Sequence, residues 1–312
     1  MKRFLKIALW ALLVFFILVN FISATNAYKF THYYNPGEVV TKPEGKKTFW
    51  NHTREIFFGI NFSRKENIRI PPFFSKVIFT TKDKIKLEGW YRTTNDAKAS
   101  VALFHGHGGN KSDVLKEGES FLNMGYNVLL LDFRAHGSSG GRTCTIGYYE
   151  AEDVKLAYNF FKEKGEKNIV LWGISMGAAA IAHAVDEYHL QPAKVILEMP
   201  FGTIEEAVKS RLRIMGVPAQ PFAILLTFWG GVENGFWAFN MKPEEYVKNI
   251  HCPVLMQVGL NDTRVTLKER KETFENLHQP KQLVIYKNSG HESLCAKEYL
   301  KWLSSVSAFL NS

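Results

Sequence analysis

Gly173-Ile174-Ser175-Met176-Gly177 directly follows Val170-Leu171-Trp172, three apolar residues that are typical of a buried strand. The residues from Met176 to Glu187 then have the pattern of a helix. A serine on a tight turn between a strand and a helix presents its hydroxyl, and glycines on either side leave room for a strained backbone. The helix N-terminus adds N–H groups and positive potential beside that hydroxyl. The turn therefore predicts a nucleophile at Ser175, with a plain packing turn as the alternative.

Apolar runs and amphipathic stretches alternate on both sides of this turn. The runs are typical of strands buried on both faces of a parallel sheet and lie at residues 100–104, 127–132, 168–172, 194–198, 254–258 and 282–286. Helical stretches are predicted at 112–124, 149–164, 176–187, 268–277 and 297–310. An antiparallel hairpin is predicted ahead of them at 77–81 and 85–91. The alternation predicts an α/β domain with a mostly parallel, doubly wound sheet.

Residues 201–250 interrupt this alternation, because the interval between two predicted strands is far longer than an ordinary crossover. We expect a helical lid insertion there. The interval is rich in aromatic and aliphatic residues of the kind that line sites for acyl chains. Five of them are candidate substrate-binding residues: Phe222, Leu226, Trp229, Phe236 and Trp237. Ordinary packing of the lid on the body of the domain is the alternative.

His105-Gly106-His107-Gly108-Gly109 follows the predicted strand that ends at Phe104. A glycine-rich turn at this place can direct a backbone N–H at a developing oxyanion. A phosphate-binding loop would need glycine where Asn110 and His105 stand, so that alternative is rejected. We expect this turn to form part of an oxyanion hole.

Asp262 and His291 lie just beyond the predicted strands 254–258 and 282–286. The carboxyl ends of parallel strands meet at the edge where open α/β sheets bind their ligands. The chain order Ser, Asp, His matches the order in hydrolases that carry their serine on such a turn. Each residue taken alone has a simpler explanation, as a turn aspartate or a surface histidine. Together with Ser175 they predict a catalytic triad.

From Lys76 to the C-terminus the chain resembles the α/β-hydrolase superfamily of serine hydrolases, and most of all its membrane-anchored esterase and lipase-like branches. The resemblance is carried by Leu87-Glu88-Gly89-Trp90-Tyr91, residues 105–109, residues 131–140, the Ser175 turn, Asp262 and His291. It implies that Ser175 is the nucleophile, His291 the base and Asp262 the residue that orients the base. It also implies an oxyanion hole made by the backbone N–H groups of His107 and Met176. The chain departs from the family where Ala135 replaces a usual glycine and where His107 follows Gly106.

The N-terminus has the pattern of a membrane anchor. Basic residues at positions 2, 3 and 6 precede an apolar run from Ile7 to Ala24, which is about long enough to cross a ~30 Å hydrocarbon core. Basic residues before the run predict a single-pass membrane protein with its catalytic domain on the extracytoplasmic side. Cleavage near Thr25-Asn26-Ala27, which would give a secreted or periplasmic protein, is the alternative.

The composition agrees with this organisation. The 312 residues are 46% hydrophobic and 22% charged, which excludes a disordered chain. The 39 Lys and Arg against 30 Asp and Glu give a net charge of +9, which fits a domain held near anionic lipid headgroups, with a solvated basic face as the alternative. We do not expect nucleic acid as a partner. Three parts are predicted: an anchor at 1–27, a linker and wrapping segment at 28–75, and a hydrolase domain at 76–312.

The predicted function is the hydrolysis of carboxylic esters, of lipid-like or other acyl substrates, through the Ser175, His291 and Asp262 triad and an acyl-enzyme. A serine peptidase or a thioesterase would carry the same triad, and a non-catalytic binding protein would have the same fold. We expect neither a metal nor a cofactor, because the sequence contains no motif for either. The oligomeric state is left open.

Overall fold

An eight-stranded sheet forms the centre of the computed structural model, which describes residues 2–39 and 49–312. The order across this sheet is β10-β9-β8-β7-β5-β6-β4-β3, and a separate parallel pair is formed by β1 and β2. Strand β4 runs antiparallel to both of its neighbours, and every other neighbouring pair in the large sheet is parallel. The strands are β1 (Tyr33–Tyr34), β2 (Phe62–Ser63), β3 (Ser75–Thr80), β4 (Lys86–Arg92), β5 (Ala99–Phe104), β6 (Tyr126–Leu131), β7 (Ile169–Ile174), β8 (Lys194–Glu198), β9 (Val254–Gly259) and β10 (Lys281–Tyr286).

Helices cover both faces of the sheet. The helices are α1 (Lys2–Thr31), α2 (Phe49–Phe58), α3 (Leu115–Asn123), α4 (Glu150–Glu163), α5 (Met176–Tyr188), α6 (Ile204–Ile214), α7 (Phe222–Glu233), α8 (Pro243–Tyr246), α9 (Leu267–Asn276), α10 (Leu294–Lys297) and α11 (Tyr299–Asn311). Alternate side chains of β5 enter two hydrophobic clusters: Ala102 and Phe104 pack towards α4 and α5, and Val101 and Leu103 pack towards α3 and α11. Because both faces are buried in this way, the strand sequences are apolar at successive positions.

The predicted α/β fold is confirmed, and the predicted strands lie within two residues of the observed ones. The predicted hairpin is formed by β3 and β4. Two predicted helices are divided: the stretch 112–124 begins as a 3-10 helix, Lys111–Val114, and the C-terminal stretch forms α10 and α11. These differences leave the carboxyl ends of the parallel strands, where the site is expected, unchanged.

The N-terminal helix belongs partly to the folded domain. α1 is long and apolar enough to cross a bilayer, with a mean hydropathy of 2.5 over its most apolar window. Its residues 2–18 are exposed, whereas the part from residue 19 to Thr31 packs on α2 and α7. There Trp229 Nε1 donates to Asn20 Oδ1 at 3.1 Å, and Thr25 Oγ1 donates to the carbonyl of Phe57 at 3.3 Å. The helix therefore continues past the predicted boundary at residue 27.

The segment after α1 lies against the α/β domain. The carbonyl of Thr31 accepts from the backbone N–H of Cys144 at 2.8 Å, and the N–H of Tyr33 donates to the carbonyl of Arg142 at 2.8 Å. Part of the predicted linker and wrapping segment, residues 40–48, lies outside the described residues. The described part includes α2 and the β1–β2 pair, which places residues 33–34 and 62–63 side by side.

The predicted insertion 201–250 contains α6, α7 and α8 and the 3-10 helices Ala238–Asn240 and Val247–Asn249. Helix α7 is apolar except for Thr227 and Glu233, and it packs between α6 and α1. The predicted lid is thus in contact with α1 as well as with the α/β domain.

Candidate active site

Ser175 lies on a strained turn between β7 and α5. Its φ of +53° and ψ of −112° place it in a region that non-glycine residues rarely adopt. A Cβ on Gly177 would overlap the carbonyl of Phe104, and a Cβ on Gly173 would lie 2.5 Å from the backbone of Gly177. The flanking glycines are therefore required, as the motif predicts, because the turn brings three backbone segments together. The N–H of Ser175 donates to the carbonyl of Glu198 at 2.8 Å, which ties the turn to β8.

Ser175, His291 and Asp262 form a continuous hydrogen-bonded chain. His291 Nε2 lies 2.9 Å from Ser175 Oγ, and His291 Nδ1 lies 2.8 Å from Asp262 Oδ2. The Asp262 side chain is 1% exposed and that of His291 is 11% exposed. Because Asp262 is an acceptor, Nδ1 of His291 carries a proton, and Nε2 of the neutral ring is free to accept from the serine hydroxyl. The arrangement can remove a proton from a nucleophilic hydroxyl.

The Asp262 carboxylate is held in its ionised form. Burial opposes ionisation, but the hydrogen bond and charge of His291 and the N–H groups of Val265 and Arg264 outweigh it and lower the pKa of Asp262. Those N–H groups donate to Asp262 Oδ1 at 3.1 Å and 2.7 Å respectively. Arg270 on α9 fixes the same loop by donating to the carbonyls of Gly259, Asp262 and Val265.

Two neutral histidines hold the glycine-rich turn 105–109. The N–H of Gly108 donates to His136 Nε2 at 3.1 Å, so the proton of that ring lies on Nδ1, which donates to the carbonyl of Arg134 at 2.9 Å. In the same way the N–H of Phe133 donates to His105 Nε2, and His105 Nδ1 donates to the carbonyl of Gly106. Burial lowers the pKa of both rings, which favours these neutral states. His136 thus positions the turn.

The two residues predicted to form an oxyanion hole lie at the same cavity. His107 and Met176 line it together with Ser175 and His291. Met176 is the first residue of α5, and the first N–H groups of a helix have no partner within the helix. The backbone N–H groups of His107 and Met176 remain the predicted donors to an oxyanion.

His107 is enclosed by Phe30, near the end of α1, and by Tyr33 in β1. The ring of Phe30 stacks on it with 4.9 Å between the ring centroids, and the hydroxyl of Tyr33 lies 3.1 Å from His107 Nε2. Burial, followed by the charges of Arg211 and Arg264, lowers the pKa of His107 to about 4. The ring is therefore neutral at pH 7. Helix α1 therefore contributes directly to the wall of the site.

Two neighbouring cavities share part of one wall. The serine cavity contains Ser175, His291, His107 and Met176, together with residues of α6 and the loop after β9. The anchor–lid cavity lies between α1, α6 and α7, and its predominantly apolar wall includes Ala27, Leu212, Leu226, Gly230 and Phe236. Both cavities are lined by Phe30, Ile146, Val208 and Arg211.

The five predicted substrate-binding residues are divided by the structure. Leu226 and Phe236 line the anchor–lid cavity. Phe222 packs against the small cluster of Val208, Leu212 and Ala223, Trp229 bonds to Asn20 of α1, and Trp237 is 55% exposed. Helix α7 is almost entirely apolar and so has no distinct polar face. Its sequence pattern therefore does not indicate which side chains face the cavity.

Several residues at the site were not expected from the sequence. Phe30 and Tyr33 fall in the predicted linker, Arg211 falls in the predicted insertion, and neither Arg211 nor Arg270 belongs to a motif. Spacing alone contains no signal for them, because each acts through a contact with a residue far away in the chain. Within residues 2–39 and 49–312 there is no group of three or more His, Cys, Asp or Glu that could hold a metal ion.

The chain is similar to known hydrolases in sequence. A family profile described as "Serine aminopeptidase, S33" matches residues 95–231. The uncharacterized protein YqkD of Bacillus subtilis is 28% identical over 234 residues, which cover 72% of this chain and 75% of that protein. The lysophosphatidylserine lipase ABHD12 of Danio rerio is 26% identical over 219 residues, which cover 65% of this chain and 52% of the lipase. This chain thus matches about half the length of that lipase.

Solved structures have the same fold. An esterase of Pyrococcus furiosus superposes with a TM-score of 0.67 at 26% identity, covering 80% of this chain and 95% of the esterase. The α/β-hydrolase GrgF from a Penicillium species superposes with a TM-score of 0.60 at 22% identity, covering 76% of this chain and 97% of that protein. At 22% identity, the similarity to GrgF shows the fold alone.

Proposed function

The chain belongs to the α/β-hydrolase superfamily, and from that premise we propose that it is a membrane-anchored serine esterase acting on esters with a long acyl chain. The hydrogen-bonded chain from Ser175 through His291 to Asp262 is the observation that carries the proposal. A hydrolase is expected from the family, and the similarity to an esterase and to a lysophosphatidylserine lipase supports ester substrates.

The proposed reaction proceeds through an acyl-enzyme. Ser175 Oγ attacks the ester carbonyl carbon while its proton passes to His291 Nε2, and Asp262 stabilises the imidazolium that forms. The N–H groups of His107 and Met176 donate to the oxyanion, a contribution of about 3–4 kcal/mol for one such donor. His291 then gives its proton to the leaving alcohol. A water molecule, activated by the same imidazole, attacks the acyl-enzyme and releases the carboxylic acid.

The charges at the serine cavity favour an ester over a peptide substrate of an aminopeptidase. An aminopeptidase binds a free ammonium group, for which a carboxylate is the natural partner. Among the described residues that line the serine cavity there is no Asp or Glu, and two arginines are present. A basic cavity of this kind repels the N-terminus of a peptide.

The anchor–lid cavity is the proposed site of the acyl chain. Its wall is mostly apolar, it adjoins the cavity that contains Ser175, and the anchor helix forms one side of it. An acyl chain would be transferred there from one apolar environment to another, which suits a substrate that is supplied by a bilayer.

Retention of the anchor and an extracytoplasmic catalytic domain complete the proposal. Ala27, at the end of the alternative cleavage site, is 3% exposed and lines the anchor–lid cavity, so cleavage there would open the cavity wall. The basic residues at positions 2, 3 and 6 favour a cytoplasmic N-terminus. The mass of the mature protein, measured after isolation from membranes, tests retention.

Labelling with a fluorophosphonate tests the nucleophile. We expect the full-length protein in detergent to form one adduct, at Ser175, and the Ser175→Ala variant to form none. The exposed Ser304→Ala variant is the matched control and is expected to label like the wild type. No adduct on the wild type, or an equal adduct on Ser175→Ala, would show that the protein is a binding protein or uses another nucleophile.

An acyl-length series tests the acyl site. Gly230 lines the anchor–lid cavity, and a Cβ built on it meets nothing within 4 Å, so Gly230→Phe fills the cavity without a clash at the backbone. In Gly230→Phe we expect kcat/KM for long-chain p-nitrophenyl esters to fall at least tenfold relative to kcat/KM for the acetyl ester. A tenfold fall corresponds to a loss of about 1.4 kcal/mol of transition-state stabilisation. Val232→Phe, at an exposed position of the same helix, is the control. A wild-type enzyme with no preference beyond acetyl would exclude the lipid-like substrate.

A further inference from the structure

Two arginines without a described acidic partner line the serine cavity. Arg211 on α6 and Arg264 in the loop after β9 lie there with Ser175 and His291. In the described part of the chain, the arginines that form ion pairs with carboxylates are Arg134, Arg142 and Arg213. The guanidinium of Arg211 lies instead over the ring of Phe62, 5.9 Å from its centroid.

The two charges act on each other and on the cavity. Arg211 is half-buried, and burial, followed by the charge of Arg264, lowers the pKa of Arg211. Both charges also act on the His107 ring in the same cavity. Like charges in a partly desolvated cavity raise the free energy of the empty site, and an anion bound between them removes that repulsion. The serine cavity is therefore complementary to a negative group.

The positions of the cavities decide which part of the substrate meets the arginines. If the acyl chain occupies the anchor–lid cavity and the carbonyl lies at Ser175, the alcohol part of the ester remains in the serine cavity. Arg211 lines both cavities and so lies at their junction, whereas Arg264 is exposed and lies towards solvent. A charged group on the alcohol part can thus meet both guanidinium groups without entering the apolar cavity.

We propose that Arg211 and Arg264 form a subsite for an anionic group, a phosphate or a carboxylate, on the alcohol part of a single-chain ester. This inference rests on the proposed function and assigns the substrate class to the same site. Guanidinium groups donate paired hydrogen bonds to phosphate and carboxylate oxygens, and such charge-assisted bonds are among the strongest in proteins.

The experiment compares esters that share one octanoyl chain, assayed as monomers with the full-length protein in neutral detergent. The substrates are 1-octanoylglycerol, its 3-phosphate, its 3-phosphocholine derivative and the 3-succinate, which carries a carboxylate. We expect kcat/KM for the 3-phosphate and the 3-succinate to exceed that for the neutral ester by about tenfold or more. Arg211→Gln and Arg264→Gln each lower that ratio at least fivefold, chiefly through KM, and Arg211→Lys retains part of it.

Arg213→Gln is the matched control, because this substitution removes the same charge from the same helix. Arg213 does not line the cavity and pairs with Glu206 at 3.8 Å. Its ratio is expected to change less than twofold. An equal loss in Arg213→Gln would mean diffuse attraction by a basic surface and would overturn the subsite. Competitive inhibition by glycerol 3-phosphate, weakened in Arg211→Gln, shows recognition of the anion itself, because this inhibitor carries no acyl chain.

The outcome also separates this inference from the proposed function. If no ester is hydrolysed and the fluorophosphonate does not label Ser175, the proposed function fails. If all four esters are hydrolysed at similar rates, or the preference persists in the Arg211→Gln and Arg264→Gln double variant, the enzyme is an esterase and the anionic subsite alone is refuted.

Discussion

The edge of the sheet that carries Ser175, Asp262 and His291 is held by hydrogen bonds, whereas the anchor–lid cavity is held by apolar packing. At the sheet edge, the Asp262 loop is bound by two backbone N–H groups and by four hydrogen bonds from Arg270. In the cavity, the walls are side chains of α1, α6 and α7 that meet mostly through apolar contacts.

This difference corresponds to the two tasks of the proposed esterase. Directional bonds fix the atoms that make and break bonds, where an error of about 1 Å costs about a hundredfold in rate. Apolar packing has no direction, and it can accept acyl chains of different length and be altered without moving the sheet edge. Changes at the edge should therefore affect all substrates alike, and changes in the cavity should affect them selectively.

The largest expected effect comes from breaking the edge. Asp262→Asn leaves the shape of the loop nearly unchanged but removes the negative charge that stabilises the His291 imidazolium. We expect kcat to fall by about 10⁴-fold for acetyl and long-chain esters alike, with little change in KM. Steady-state kinetics across the acyl series measures it. A loss restricted to one chain length would contradict the division between the two regions.

Shortening the anchor helix should separate its two halves. Removal of residues 2–18, all exposed, is expected to leave hydrolysis of a soluble acetyl ester within twofold of wild type. Removal of residues 2–31 takes away Ala27 and Phe30 and opens both cavities, so we expect roughly a tenfold loss for the acetyl ester and a larger loss for long chains.

The melting temperature of each shortened protein in detergent provides the control. The shorter deletion should leave it unchanged, because residues 2–18 make few contacts with the domain. If the two deletions behave alike in both activity and melting temperature, the end of α1 is not part of the active site.

Much of the sheet edge was predictable from the sequence, and most of the cavity was not. Glycines 173 and 177, the apolar strands and the residues after them follow from local rules, because backbone geometry limits which residues fit a tight turn or a buried strand. The predicted positions of Asp262 and His291 needed only the strand ends, and the structure places both side chains within hydrogen-bonding distance of their neighbours.

The cavity depends on contacts that no local pattern contains. Phe30 meets His107 across 77 residues of chain, and Trp229 meets Asn20 across 209. The apolar run of α1 predicts a membrane span throughout and contains no signal that would divide it into an exposed part and a packed part. Which faces of α1 and α7 become cavity wall is decided by how the lid and the anchor pack.

Low pH should lower the free energy of unfolding, because three histidines at and beside the glycine-rich turn resist protonation in the folded protein. Burial lowers the pKa of His105, His107 and His136, that of His107 to about 4. Between pH 6.5 and about 4 the unfolded chain binds protons that the folded protein does not, so the free energy of unfolding falls as the pH falls. His107 alone accounts for about 2–3 kcal/mol over this range.

Thermal unfolding between pH 7 and pH 4 measures this dependence. His107→Gln should reduce the fall in melting temperature between pH 7 and pH 4, with His105 and His136 accounting for the remainder. The control His278→Gln, at an exposed position, should leave that fall unchanged. The lowered pKa of Asp262 acts in a separate window, because its contribution is lost only as the pH falls below the ordinary pKa of an aspartate, near 4. A His107→Gln variant with the wild-type slope would mean that the ring is protonated as readily in the folded protein as in the unfolded chain.

The smallest effect is expected at Ala135, which stands where the family resemblance leads us to expect glycine. Its φ is +63°, a conformation that costs an alanine about 1 kcal/mol, so glycine would relieve strain. Glycine would also lose a fully buried methyl group, about 0.8 kcal/mol, and would gain freedom in the unfolded chain, about 0.4–1 kcal/mol. Because these contributions oppose each other, Ala135→Gly should change the free energy of unfolding by less than about 1 kcal/mol.

The neighbouring Gly137 provides the contrast that makes this test decisive. It has a φ of +48°, and a Cβ there would overlap the carboxylate of Asp132, which accepts from the N–H groups of Lys111 and Ser138 at 2.7 Å and 2.8 Å. Gly137→Ala should therefore destabilise the protein by about 2 kcal/mol or more, because both strain and lost hydrogen bonds contribute. Equal melting temperatures for the two variants would mean that the backbone at 135–137 adjusts freely, and the turn beside His136 would then not be rigid enough to position the glycine-rich turn.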